Sequence, residues 1–204
     1  GAGLYDAVKE EYVWTATMPD NVTALVQHID EHFSNVGIQV NTFHKTYFCK
    51  ENQTMVNFRK VTGLENIVRH YNDVQEPIAK ILFGSEDDEE IKNIENLEIA
   101  NCSNALILRK EIPGKSYVYD IVKKGTSKGT GIEKFCNLLN IDKTQCIAIG
   151  DNKNDLSMFE KVGISVAMGN STEEVKSKAT YTTKSNQENG VAHFLNMLDI
   201  KNIT

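Results

Sequence analysis

The chain has 204 residues, 25% of them charged and 40% hydrophobic, and a formal net charge of −6. That length can bury a sizeable core as one large domain or two small ones, and the composition is that of an ordinary soluble globular protein. Net acidity with no basic stripe to offset it excludes a general nucleic-acid binder. No apolar run approaches the roughly 20 residues that a membrane-spanning helix needs, and the first residues lack a signal-peptide layout.

The chain opens on "GAGLYDAVKEEYVWTATM", strand-like sequence without an initiator methionine, which suits a tag remnant, a processed chain or a fragment. From Asn21 the pattern turns helical: Val22, Leu25, Val26, Ile29 and Phe33 form an i, i+3, i+4, i+7 stripe, with Asp20 or Asn21 as N-cap and Gly37 as the stop. "GIQVNTF" and "KTYFCKE" predict a hairpin. Helical stretches are expected around "NQTMVNFRKV" and "LENIVRHYNDV", then a strand "PIAKILFG" beginning at Pro77. "SEDDEEIKNIENL" reads as an acidic amphipathic helix capped by Ser85, and "NALILRKEI" with "SYVYDIV" as an antiparallel pair across Pro113-Gly114. Residues 20–120 therefore predict an α+β unit, a small sheet with helices on one face.

After residue 124 short helices alternate with apolar strands: "GTGIEKFCNLLN", "QCIAIG", "NDLSMFEKV", "ISVAM", "STEEVKSKA", "TYTT" and "NGVAHFLNML". This alternation indicates a parallel, doubly wound α/β sheet, incomplete as an independent domain. Cys49, Cys102, Cys136 and Cys146 are widely spaced and fit no C-x-x-C pattern. Cys136 and Cys146 lie in apolar surroundings and read as buried free thiols, which suits a reducing cytoplasm.

The chemistry concentrates in "CIAIGDNKND". A parallel sheet carries its functional loops beyond the carboxyl ends of its strands, and Gly150 lets the backbone turn there. Asp151 and Asp155 are hard oxygen ligands of the kind Mg²⁺ prefers alongside water and substrate phosphate. Asn154 can offer its amide to a phosphate oxygen. Asp and Asn are also common helix caps, but one cap accounts for one residue of this cluster and not four. In "KKGTSKGTGIEKF" the spacing of a Walker A loop is absent. Lys128, beside glycine at a helix opening, can still point its ammonium at a phosphate or at carboxylates, and it precedes the acidic motif by one helix-plus-strand unit. A polar linker with a solvated lysine is the competing interpretation.

These motifs resemble the haloacid dehalogenase superfamily of phosphatases, and within it the Cof-type group, whose Rossmann-like core carries an inserted α+β cap. Gly150, Asp151, Asn154 and Asp155 match the acidic motif, and Lys128 matches the family lysine. "AMGNSTEEVKSKA" and "NQENGVAHFL" match the segments that follow. The likeness covers residues 120–198 strongly and residues 20–120 in element order. It implies a core segment at 1–19, a cap at 20–120 and the C-terminal part of the core at 121–204. It also implies hydrolysis of a small phosphorylated metabolite, such as a sugar phosphate, through an aspartyl-phosphate. By the resemblance Asp151 and Asp155 serve Mg²⁺, Lys128 neutralises phosphate and nucleophile charge, and Asn154 contacts phosphate. The family's Asp-x-Asp-Gly nucleophile motif occurs nowhere in the 204 residues, nor does its Ser/Thr-Gly loop, so the attacking aspartate is expected upstream of Gly1. A non-catalytic phosphate- or metal-binding fragment and a phosphotransferase on the same scaffold remain alternatives.

Other residues carry weaker signals. His28 and His32, four apart on a helix, could pair on a metal but suit the polar side of that helix. His44 and Arg59 fall in the expected cap, His193 in the last helix, and Trp14 reads as core. The "SEDDEE" run lacks the order of a calcium loop.

Overall fold

The computed structural model describes residues 2–96, 105–112 and 116–198. By its contacts the chain divides into two units: Gly3–Trp14 joined by Ser127–Thr204, and the continuous stretch Thr15–Thr126. Two strands, β1 (Gly3–Asp6) and β2 (Glu11–Thr15), form a small sheet at the start.

In the continuous unit, β3 (Gly37–Thr42), β4 (Thr46–Lys50), β5 (Ile78–Ser85), β6 (Ala105–Ile112) and β7 (Ser116–Lys123) form one sheet in the order β4-β3-β5-β7-β6. Every pairing in it is antiparallel. Period-2 alternation sorts its side chains onto two faces. Ile38, Val40, Ile81, Phe83, Tyr119 and Ile121 pack with Val22, Val26 and Ile29 of α1 (Val22–His32) and with Ile91 and Ile94 of α3 (Asp88–Asn96). The intervening residues Phe48, Leu82 and Val118 pack with Met55 and Phe58 of α2 (Gln53–Thr62). Helices therefore cover both faces, not one as the sequence suggested.

The second face admits α2 because Gly37 and Gly84 sit opposite each other in the register. A Cβ on either would stand 2.5 or 2.7 Å from a carbon of Met55. Past Leu82 that face becomes polar. Gln39 Nε2 donates to Asn41 Oδ1 at 2.8 Å, and Lys80 pairs with Asp120 at 3.4 Å.

Two local expectations are corrected. "LENIVRHYNDV" forms no α-helix: Gly63 closes α2 in the left-handed region (φ 67°), and Phe48 N–H then donates to Ile67 O at 2.8 Å. Val68 bridges to Phe48, and only Tyr71–Asp73 turns as a 3-10 segment. The β-branched pair Ile67-Val68 favours that extended path along β4. Ser85 does not cap α3, because it is the last residue of β5. Its Oγ accepts from Asp87 N–H, and Asp87 Oδ1 in turn accepts from Glu89 N–H at 2.8 Å. The Pro113-Gly114 turn lies outside the described residues.

In the other unit β8 (Ile147–Gly150), β9 (Ile164–Ala167) and β10 (Tyr181–Thr182) are parallel, in the order β10-β9-β8. They alternate with α4 (Lys128–Leu139), α5 (Leu156–Phe159), α6 (Glu173–Lys176) and α7 (Gly190–Met197). Ala148, Phe159, Ala167 and Val175 form the core, supported by Ile132, Leu156, Met158 and Val162. Cys49, Cys136 and Cys146 are free. Cys136 is buried, Cys146 is half-buried, and their sulfurs lie 3.5 Å apart. Among the described residues no helix is long and apolar enough to cross a membrane.

Candidate active site at the end of strand β8

The sheet register puts the loops of interest at one edge. Gly150 pairs with Ala167, and Met168 N–H extends that ladder to Gly150 O at 2.9 Å. Asp151 and Asn170 therefore leave neighbouring parallel strands at the same carboxyl end.

Asp155 anchors the loop after β8. It closes a 3-10 turn, Lys153–Asp155, and is 3% exposed. Its Oδ2 accepts N–H bonds from Asp151 (2.9 Å) and Asn152 (3.0 Å), and its Oδ1 faces Lys128 Nζ at 2.5 Å. Burial pushes this carboxyl up, but the Lys128 hydrogen bond and the two amides outweigh it and hold Asp155 below the usual carboxylate range. Gly150 makes room for this arrangement, since a Cβ there would lie 2.5 Å from Asp155 Cβ and Cγ.

Lys128 reaches Asp155 because two features fix the start of α4. Ser127 and Thr130 form a reciprocal capping box, with Thr130 N–H to Ser127 Oγ at 3.0 Å and Ser127 N–H to Thr130 Oγ1 at 2.8 Å. Gly129 N–H donates to Ser157 Oγ at 3.1 Å, and a Cβ at Gly129 would stand 2.0 Å from Ser157 O. The helix start thus presses directly on the opening of α5, and Lys128 is carried onto the carboxylate with its side chain 43% exposed.

Asp151 is exposed, and its Oδ2 accepts a hydrogen bond from Asn170 Nδ2 at 3.1 Å. Asn154 is exposed on the same turn. Its carbonyl accepts from Ser157 Oγ at 3.1 Å, and among the described residues its amide makes no hydrogen bond to Lys128, Asp151 or Asp155. Three of the four sequence candidates are thus tied to one another through Asp155, with Asn154 beside them.

The donor set is sparse and made of oxygen. Among the described residues no three His, Cys, Asp or Glu side chains converge as a protein cage. One exposed carboxylate beside a neutralised one fits Mg²⁺, which takes one or two carboxylates and fills its shell with water and substrate oxygens.

The remaining candidates make local contacts. His32 Nδ1 lies 2.8 Å from His28 O and the two rings stack at 4.1 Å, with no third ligand among the described residues. Arg59 pairs with Glu51 and lies 5.2 Å over the Phe48 ring. His193 Nδ1 sits 3.4 Å from Thr183 Oγ1, and Lys134 Nζ lies 5.8 Å over the Trp14 ring. Sequence reasoning missed Asn170, Ser157 and the Ser127–Thr130 box. The Ser-x-x-Thr spacing signalled the last. An Asn straight after the glycine that follows β9 was the available signal for the first.

Known proteins share this architecture. The profile of the haloacid dehalogenase-like hydrolases matches residues 1–195. YitU of Bacillus subtilis (strain 168), a 5-amino-6-(5-phospho-D-ribitylamino)uracil phosphatase, is 26% identical over 180 residues, 88% of this chain and 66% of its own length. The first curated relatives are spanned over 29% to 66% of their lengths. TM0651 from Thermotoga maritima has the same fold, with a TM-score of 0.82 and 24% identity over 98% of this chain and 73% of its own. The HAD subclass IIB sugar phosphatase BT4131 gives a TM-score of 0.74 and 23% identity, covering 94% of this chain and 71% of its own. With its profile matched from the first strand to the last helix, the chain belongs to the haloacid dehalogenase-like hydrolases.

Proposed function

We propose that this chain is the larger part of a Mg²⁺-dependent phosphatase that hydrolyses a small phosphorylated metabolite, such as a sugar phosphate, through an aspartyl-phosphate. The attacking aspartate would come from a segment N-terminal to Gly1. The observation that carries this reading is the Lys128–Asp155 contact one turn from the exposed Asp151. A cation on a short, capped lever and an open carboxylate share one sheet edge, which is the equipment phosphoryl transfer requires.

In this reading Asp151 would hold the metal, with Asp155 fixing the backbone beneath it through the Asp151 and Asn152 amides. Bound Mg²⁺ would supply neutralisation of the phosphate and of the attacking carboxylate. Lys128 holds its ammonium on Asp155 while remaining partly exposed, so it could also pair with a phosphate oxygen. Asn154, exposed on the same turn, is free to donate its amide to the phosphate. The names borne by YitU and BT4131 support a phosphorylated sugar or sugar-alcohol substrate.

An upstream segment also suits the surface of this unit. Strand β8 is the edge of the three described parallel strands. Ile147 on it, Ile141 before it, and Phe135, Leu138 and Leu139 on α4 are exposed. Parallel strands are ordinarily buried on both faces, so an additional strand and helix would cover this apolar surface. We infer that the stretch Thr15–Thr126 serves as the cap in the sense of the family.

The test is release of phosphate from an aryl phosphate by the protein carrying its upstream segment. Release should require Mg²⁺ and fall at least about 100-fold in Asp151→Asn, and similarly in Lys128→Ala. Undiminished turnover in both variants, or none in wild type that still binds Mg²⁺, would sink the reading.

A further inference from the structure

We propose that Asn170 is a positioning residue for Asp151: it fixes the orientation of that carboxylate and couples it to the loop after β10. The inference rests on the reading of Asp151 as a cation ligand. Most Asn side chains in turns bond to their own local backbone. Asn170 does not. Its turn is closed by the backbone alone, with Ser171 N–H donating to Met168 O at 2.9 Å. Both polar ends of its side chain reach other loops: Nδ2 donates to Asp151 Oδ2 at 3.1 Å, and Oδ1 accepts from Asn186 N–H at 3.0 Å.

Chemistry allows this amide one orientation. A carboxylate only accepts and a backbone N–H only donates, so the NH₂ must face Asp151 and the carbonyl must face Asn186. The loop that carries Asn186 is itself held by hydrogen bonds. Asn186 opens a 3-10 turn, Asn186–Glu188, closed by a capping box in which Ser185 Oγ donates to Glu188 Oε2 at 2.6 Å. The backbone adds a second tie, Gly169 N–H to Lys184 O at 3.0 Å. Asn170 is thus pinned to the loop after β10 and holds Oδ2 of Asp151, which leaves Oδ1 as the oxygen presented to a ligand. Groups that orient a metal's ligand ordinarily govern metal affinity about 10- to 100-fold.

The experiment is Mn²⁺ binding to the protein carrying its upstream segment, followed by electron paramagnetic resonance, together with hydrogen exchange at the Asn186 amide. Asn170→Ala should weaken Mn²⁺ binding about 10-fold and speed exchange at Asn186, with the melting temperature checking that the fold survives. Asn170→Ser, too short to span both partners, should do the same. Asp151→Asn is the control for the underlying reading: if it leaves Mn²⁺ affinity intact, Asp151 is no ligand and that reading fails. Loss of binding in Asp151→Asn with wild-type affinity in both Asn170 variants would overturn the positioning role alone.

Discussion

A carboxylate 3% exposed to water survives as an anion in Asp155 because all its oxygens are engaged by an ammonium and two amide N–H groups. Its depressed pKa carries a definite linkage. The group contributes stability at pH values above the ordinary carboxylate value of about 3.9, and that contribution is lost as pH falls through the lower folded value. Asp155→Ala leaves the Asp151 and Asn152 amides without an acceptor, at a cost of about 2 kcal/mol. Partial exposure of Lys128 keeps the ion pair itself a minor part of that figure. Urea denaturation across the acid range should therefore show the advantage of wild type over Asp155→Ala shrinking as pH falls below the ordinary carboxylate value. An advantage that does not change with pH anywhere in the acid range would mean that the loop is held by something other than ionised Asp155.

At the scale of elements, the contact between the first turn of α4 and the opening of α5 decides where Lys128 stands. The helix start approaches so closely that the Gly129 Cα hydrogen replaces a side chain, and no rotamer change can relieve a Cβ placed 2.0 Å from the Ser157 carbonyl. Gly129→Ala should push α4 away from α5, destabilising the fold by about 2 kcal/mol and separating Lys128 from Asp155. A crystal structure or the loss of the acid-range dependence described for Asp155 would register that separation. An unchanged pH profile would show that the helix start tolerates the methyl group. Much of this arrangement was legible beforehand, since Gly150, Asp151, Asp155 and Lys128 announce themselves by residue type and spacing. Asn170 did not, because its partners lie 19 and 16 residues away and only the parallel register brings them together. The helix expected at Leu64–Val74 failed for a similar reason. Local apolar spacing favoured a helix, while a non-local bond to Phe48 drew Ile67 and Val68 into an extended path.

For the whole molecule, the sequence grammar changed from antiparallel to parallel near residue 124, and the contact division falls at Thr126. Periodicity could sort core from surface on each strand, but it could not assign helices to faces. That α2 lies opposite α1 and α3 depended on two glycines meeting across β3 and β5, a fact of register and not of composition. The consequence is a unit with cores on both sides of its sheet, Ile38, Ile81 and Phe83 on one and Leu82 and Met55 on the other, all within Thr15–Thr126. A continuous segment that buries both faces of its own sheet has what independent folding requires. Expressed alone, residues 15–126 should unfold in a single cooperative transition and keep an aromatic near-ultraviolet dichroism signal from Phe48, Phe83 and Tyr119. Phe83→Ala, which removes a fully buried ring from the larger core, should cost about 4 kcal/mol and abolish or sharply lower that transition. A segment that melts without cooperativity, or one indifferent to Phe83→Ala, would mean that this sheet borrows its stability from the rest of the chain.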